Sequence, residues 1–305
     1  MNSITQEFLS FLTDVKGNFT GAFNVRENGK CAAIHSTEHI RIQPRPDGSG
    51  LSVYIEPGTK GEKVYIPACV THGGIDDLVY NDFYIGEDAD VTIIAGCGVH
   101  SDDEEEARHN GIHRFFLKPR SRVVYQEKHI GTGKGSGAKR IDPVTEVHLE
   151  EDSYLEMDTI QLGGVDSTLR TTKATVADRA RLVVRERILT EGKQTARTDF
   201  DVMLEGEDSG ADLISRSVAK GQSHQEFYSC MWGKNRCTGH SECDAILADQ
   251  GTVNAAPALN ASHIDAALIH EAAIGKIAGE QLIKLQTLGL TKEEAEEKII
   301  AGFLK

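Results

Sequence analysis

Five stretches of this chain open in the same way, with a polar turn followed by an apolar run. They are EDADVTI from Glu87, KPRSRVV from Lys118, EEDSYLEM from Glu150, ADRARLVV from Ala177 and DSGADLIS from Asp208. Their first apolar residues are Val91, Val123, Leu155, Leu182 and Leu213, which gives intervals of 32, 32, 27 and 31 residues. A near-constant period of this size marks stacked units, none of which can bury its apolar face alone. Between about Ile34 and Asn260 the units read as short alternating strands broken by Gly, Asp and Ser, with almost no helical period. Regular short strands also suit a β-sandwich, but the even spacing favours a parallel β-helix with coils of about 27–32 residues.

Stacking carries a chemical consequence. Neighbouring strands lie about 4.8 Å apart, so residues one coil apart stand side by side. Cys97 and His129 are 32 residues apart, and Cys243 and His270 are 27 apart. Both spacings predict a thiol beside an imidazole.

The two ends read differently. MNSITQEFLSFLTDVKG predicts a short amphipathic helix, and residues 1–30 are taken as an N-terminal helical segment before a β-core at 31–265. Residues 266–305 are taken as a C-terminal helical subdomain. There Ile274, Ile277, Leu282, Leu285 and Leu288 recur at helical spacing up to Gly289. Thr291 and Glu294 then form a capping box for a second helix, with Ala295, Ile299, Ile300 and Phe303 on one side. This apolar stripe either docks on its own domain or offers a face to a partner.

Composition excludes several classes of function. A formal net charge of −14 repels a phosphate backbone and argues against nucleic-acid binding. No apolar run reaches the ~18 residues of a membrane span, and the N-terminus lacks the marks of a signal peptide, so a cytoplasmic setting is expected. Six cysteines in 305 residues are too sparse for a disulfide framework. Aromatics at 6% with one Trp argue against a sugar-processing β-helix enzyme.

The motifs narrow further. GTGKGSGAK, from Gly131 to Lys139, lacks the Ser or Thr after Gly-Lys and the strand-to-helix context of a phosphate loop. GHSEC, from Gly239 to Cys243, is no nucleophile elbow. CTGHSEC spaces Cys237, His240 and Cys243 like a metal motif. On a strand, however, residues 237 and 243 share a face that His240 does not. A zinc site with further ligands, cysteines buried as small apolar residues, and a functional thiol at Cys243 within reach of His270 and Glu271 all remain open. A set of thiol, imidazole and carboxylate suits a labile iron site.

The run from Cys237 to Leu304 resembles the C-terminal core of the SufB/SufD family of iron–sulfur cluster assembly scaffolds. The matching elements are CDAIL at Cys243–Leu247, HEA at His270–Ala272, GKI at Gly275–Ile277, EQL at Glu280–Leu282, GLTKEEA and GFL. The likeness extends through DPVTEV and SRSVAK and covers roughly residues 30–305. The resemblance implies a right-handed parallel β-helix with a C-terminal helical part. It implies a scaffold rather than an enzyme, holding a transient [4Fe–4S] or [2Fe–2S] cluster at a dimer interface. The dimer would be a homodimer or a pair with a SufB/SufD paralogue, and the partner a SufC-type ABC ATPase docking on the C-terminal helices. The partner-facing candidates are Ile277, Leu282, Leu285, Ile299 and Phe303. By the same resemblance Cys243, His270 and Glu271 are cluster ligands and Cys97 is a candidate sulfur acceptor, with His129, Cys237 and His240 as further candidates. Cys97 is followed by Gly98-Val99-His100 where the SufB motif has Thr-Ala-Pro, and His129 and Gly131 stand near the places of its Gln and Trp. The alternative is a structural subunit whose cysteines are inert.

Overall fold

The computed structural model describes residues 2–15 and 18–305. Helix α1 (Ser3–Thr13) precedes β1 (Ala22–Glu27), β2 (Lys30–His35), β3 (Ile40–Pro44), β4 (Gly50–Ile55), β5 (Lys60–Val70) and β6 (Ile75–Ile85). The middle of the chain holds β7 (Asp90–His100), β8 (Ala107–Leu117), β9 (Arg122–Thr132), β10 (Lys139–Ile141), β11 (Val144–Leu149), β12 (Tyr154–Leu162) and β13 (Ser167–Val176). It continues through β14 (Arg181–Thr190), β15 (Thr195–Leu204), β16 (Ser209–Ala219), β17 (His224–Gly233), β18 (Cys237–Leu247), β19 (Thr252–Ala261) and β20 (Ala266–Lys276). Helices α2 (Gly279–Thr287) and α3 (Lys292–Phe303) close it.

The strands alternate between two sheets. One runs β2-β1-β5-β7-β9-β12-β14-β16-β18-β20, and the other runs β19-β17-β15-β13-β10-β8-β6-β4-β3 with β11 also bridging β13 and β8. Pairing is parallel except in the hairpins β1–β2 and β3–β4. The result is a β-solenoid of stacked coils, about eight turns long. Alternate residues of each strand point between the sheets, and one core cluster runs from Ala22 through Phe115, Leu155 and Leu213 to Cys243.

The recurring polar turn has a backbone cause. Asp88, Arg120, Asp152, Arg179 and Asp208 all adopt the left-handed conformation, with φ between 55° and 59°. Aspartate tolerates that region because its short side chain bonds locally. Each arginine instead reaches the carboxylate one coil before it, Arg120 Nε to Asp88 Oδ1 at 2.9 Å and Arg179 Nε to Asp152 Oδ1 at 2.8 Å. Val91, Val123, Leu155 and Leu182 are direct register partners, as the spacing predicts. The last interval differs, since Leu182 pairs with Ala211 and Leu213 pairs with Val184. That coil is 29 residues, and the apolar count overshot because its strand opens on the small residues Ser209-Gly210-Ala211.

The ends depart from the sequence reading in extent. The N-terminal segment is helical over α1, but β1 already belongs to the solenoid. At the other end β20 carries parallel pairing to Lys276, past the boundary taken at 265. Ile274 therefore lies on a strand, because hydrogen bonding to β18 overrides its helical spacing. The capping box at Thr291 and Glu294 is present, and Gly289 follows α2 with φ 96°. Helix α1 lies on the outer face of β7, where Gly96 and Gly98 let it approach. A β-carbon on Gly98 would fall 2.5 Å from the Phe8 ring. The glycine run at 133–138 is a loop resting on the acidic loop one coil earlier, where Asp102 Oδ1 accepts from Lys134 N at 2.9 Å. Among the described residues no helix is long and apolar enough to cross a membrane.

Candidate functional site

The interior of the solenoid is not uniformly apolar. Cys97 and His129 are register partners on β7 and β9, both buried and both inward-facing. In the next inward row of the same sheet stand Glu127, Thr159, Glu186, Ser215 and Cys243, each paired with the one before it. A buried charge network fills the space between Cys97 and Cys243. Arg170, reaching in from β13 of the opposite sheet, donates to Glu127 Oε2 at 2.9 Å and sits 3.1 Å from Glu186 Oε1. Its other nitrogen lies 3.1 Å from His129 Nδ1. Glu186 also accepts from Thr198 at 2.9 Å and from Ser215 at 2.9 Å. Tyr125 donates to Glu127 Oε1 at 2.8 Å.

The environment sorts these groups by charge. Burial works against ionised Glu127, yet the neighbouring His129 and Arg170 hold its carboxyl well below the usual range. Burial raises Glu186, and Arg170 offsets only part of that. Desolvation lowers His129, so it favours the neutral ring. Both thiols are suppressed as nucleophiles. Burial pushes Cys97 well up, with nearby negative groups adding to the effect. Burial, then Glu186 and Asp244, push Cys243 up to about 12.

The last coils carry the other predicted residues, and the ladder divides them. Cys243 pairs with Ala272, and His270 pairs with Ser241. The 27-residue spacing is therefore two short of the true 29-residue register. His270 is a diagonal rather than a direct neighbour of Cys243, on the same inward face. Glu271 pairs with Glu242 and points outward. There Glu271, Glu242 and His240 bring one ligand atom each to within 4.8 Å of one another. His240 Nδ1 is 2.8 Å from Asp212 Oδ1. Burial opposes its protonation, but Asp212, Glu271 and Glu242 raise its pKa above the ordinary value. Cys237 is buried in the core beneath Gly233, so strand parity splits Cys237 and Cys243 from His240 as the sequence requires.

Strand β20 has one neighbour, β18, and most of its residues are exposed. His270 Nδ1 is shielded from solvent yet has no hydrogen-bond partner among the described residues. Ile264 is 95% exposed and Ile269 56%. In the helical appendage Ile277, Leu282, Leu285, Ile299 and Phe303 are half-buried, while Ile283 and Leu288 are 60% and 75% exposed. Sequence reading missed Asp77, His109, His113, Tyr125, Glu127, Arg170 and Glu186. Their signal was parity, because H-x-x-x-H at His109 and E-x-H at Glu127 occupy inward positions of strands that are otherwise apolar inside.

Residues 81–303 match the family described as SUF system FeS cluster assembly, SufBD core domain. The chain belongs to the SufBD family. It is 30% identical over 263 residues to an iron–sulfur cluster assembly SufBD family protein of Methanothermobacter thermautotrophicus, covering 84% of this chain and 62% of that one. A relative of the same description from Archaeoglobus fulgidus is 28% identical, covering 88% of this chain and 71% of its own length. One from Pyrococcus horikoshii is 24% identical over 96% of this chain and 89% of its own. The chain thus spans under two thirds of the first relative's length. Within the SufBD match fall Cys97 and its interior network as well as Cys243, His270 and Glu271.

Proposed function

We propose that this chain is a scaffold for iron–sulfur cluster assembly, with the cluster held at the open end of the solenoid between two chains. The observation that carries the reading is the terminal coil. Strand β20 ends the sheet with an unpaired edge, an arrangement proteins normally cover or pair. On its inward face His270 has an unpartnered ring nitrogen, and Cys243 lies one strand below. A second chain abutting this end would bury Ile264 and Ile269 and bring two thiol–imidazole pairs together, with Glu271 on the other face of the same strand. That donor set suits iron in a [4Fe–4S] or [2Fe–2S] cluster that must later be released. At neutral pH Cys243 keeps its proton, so iron has to displace it on binding. The second chain is a copy of this one or a paralogue.

The chain itself performs no hydrolysis in this reading. A SufC-type ABC ATPase docks on α2 and α3, and the exposed Ile283 and Leu288 support that surface. Cys97 receives sulfur at the far end of the charged interior. Anaerobic reconstitution with iron and sulfide tests the core of the proposal. The expected result is a cluster chromophore that falls at least severalfold in Cys243→Ser, together with a dimer by sedimentation. Unchanged cluster yield in that variant would remove Cys243 from the ligand set.

A further inference from the structure

We propose that the sheet running from β19 to β3 carries, on its outer face between His148 and Met203, a slot for one amino-bearing heteroaromatic ring of the nucleobase type. One outward column of that sheet is built from rings. Tyr54, Tyr84, Phe116 and His148 are successive register partners on β4, β6, β8 and β11. Their ring centroids are 4.9, 5.1 and 5.1 Å apart, and successive planes lie within 10° of parallel. This is the offset stacking that aromatic pairs prefer, repeated at the step of the strands. The Arg41 guanidinium closes one end of the stack, 5.0 Å from the Tyr54 centroid.

The other end is open. The column continues in register through Thr175, Met203 and Trp232. The Thr175 side chain is short and carries no ring, so the stack lacks one rung. His148 is exposed, and Met203 stands two strands on, about 9.6 Å away. A ring midway would lie about 4.8 Å from each, the step the column already uses. The gap is a cavity of about 230 Å³ lined by His148, Thr175 and Met203, and a thioether is a favourable neighbour for a ring. The wall beside it selects the chemistry. Glu146, Lys173 and Asp201 are successive register partners two residues earlier on the same strands, and all three line the cavity. Glu146 and Lys173 make no hydrogen bond or ion pair among the described residues. Asp201 Oδ1 accepts from Trp232 Nε1 at 3.0 Å. The carboxylates can accept from ring N–H and amino groups, and the ammonium can donate to a ring nitrogen or carbonyl. A phenyl side chain of a partner protein offers neither. Two negative groups against one positive, on a chain of net charge −14, disfavour a phosphorylated ligand. The slot therefore suits adenine, guanine or cytosine as base or nucleoside. It lies on the sheet opposite Cys243 and shares no residue with the cluster reading.

The test is equilibrium dialysis of the full chain against adenosine, guanosine, cytidine, uridine and AMP. Emission of Trp232, the one tryptophan of the chain and the register partner of Met203, is a second readout. At least one of the three amino-bearing nucleosides should be retained at millimolar concentration or below, and uridine and AMP more weakly. His148→Ala removes the stacking face and should weaken retention at least about fivefold. Thr175→Phe supplies the missing rung from the chain itself and should abolish retention while altering no charged group. Cys243→Ser should bind as the parent does, which separates failure of the slot from failure of the cluster site. If Thr175→Phe loses its circular dichroism spectrum, Thr175→Leu replaces it. A parent that retains none of the amino-bearing nucleosides overturns the proposal. So does equal retention by the parent, His148→Ala and Thr175→Phe, or retention of uridine or AMP as tight as that of the amino-bearing nucleosides.

Discussion

Cys97 and Cys243 stand in neighbouring inward rows of the same sheet, and both are nearly free of solvent. Their surroundings are unlike. Strand β7 has a parallel neighbour on each side and α1 across its outer face. The strand above Cys243, β20, has no further strand paired beyond it among the described residues. The same inward alternation that is buried throughout β8 is half-open or exposed along β20. A repeat thus sets which way a side chain points, while the number of stacked neighbours sets whether it is buried. The Cys97 end is suited to holding groups in a closed, charged interior, and the β20 end to meeting another chain.

The sharpest way to break this contrast is to cut the interior network. Arg170→Met leaves Glu127 and Glu186 buried without their shared cation. Urea unfolding should show a loss of about 3–5 kcal/mol at neutral pH. The pH response should also reverse. In the parent, Glu127 is held low by its partners. Its contribution is present above the unfolded carboxylate value and is lost as pH falls through the folded one. In the variant both folded-state values rise, so acidifying from pH 8 to 5 should recover part of the lost stability. A parent-like pH profile would mean that the network is not coupled through Arg170.

The next test compares apolar deletions. Leu155→Ala, in the middle of the core at 0% exposure, should cost about 2–5 kcal/mol by urea unfolding. Ile269→Ala on β20 should stay within about 0.5 kcal/mol for the isolated chain. A large cost at Ile269 would show that the last coil is already covered. A smaller effect concerns the appendage. Thr291→Ala removes the capping box of α3 and should cost about 1 kcal/mol of local helix stability, read by amide hydrogen exchange. Exchange in the β-strands should not change.

Much of the solenoid was legible from residues alone, and the reason is local. The turn repeats a left-handed Asp or Arg, and the strands alternate with period two. Three of the four intervals were true register distances, which placed Cys97 beside His129 without any coordinates. The strand parity of Cys237, His240 and Cys243 followed from the same alternation. Errors arose where the pattern was ambiguous. Small residues at the start of β16 shifted the apparent register by two, and a helix-like spacing around Ile274 concealed a strand edge.

Coil period, inward and outward faces and the family likeness of the C-terminal run were all written into the order of residues. They depend on contacts within one coil or between successive coils, which a fixed spacing encodes. The charged interior was not readable in that way. Arg170 meets Glu127 and Glu186 across the gap between two sheets, at separations of 43 and 16 residues, neither of which is the coil period. The open edge of β20 is of the same kind. Each is set by what lies across from a residue, or fails to, once every coil has taken its place.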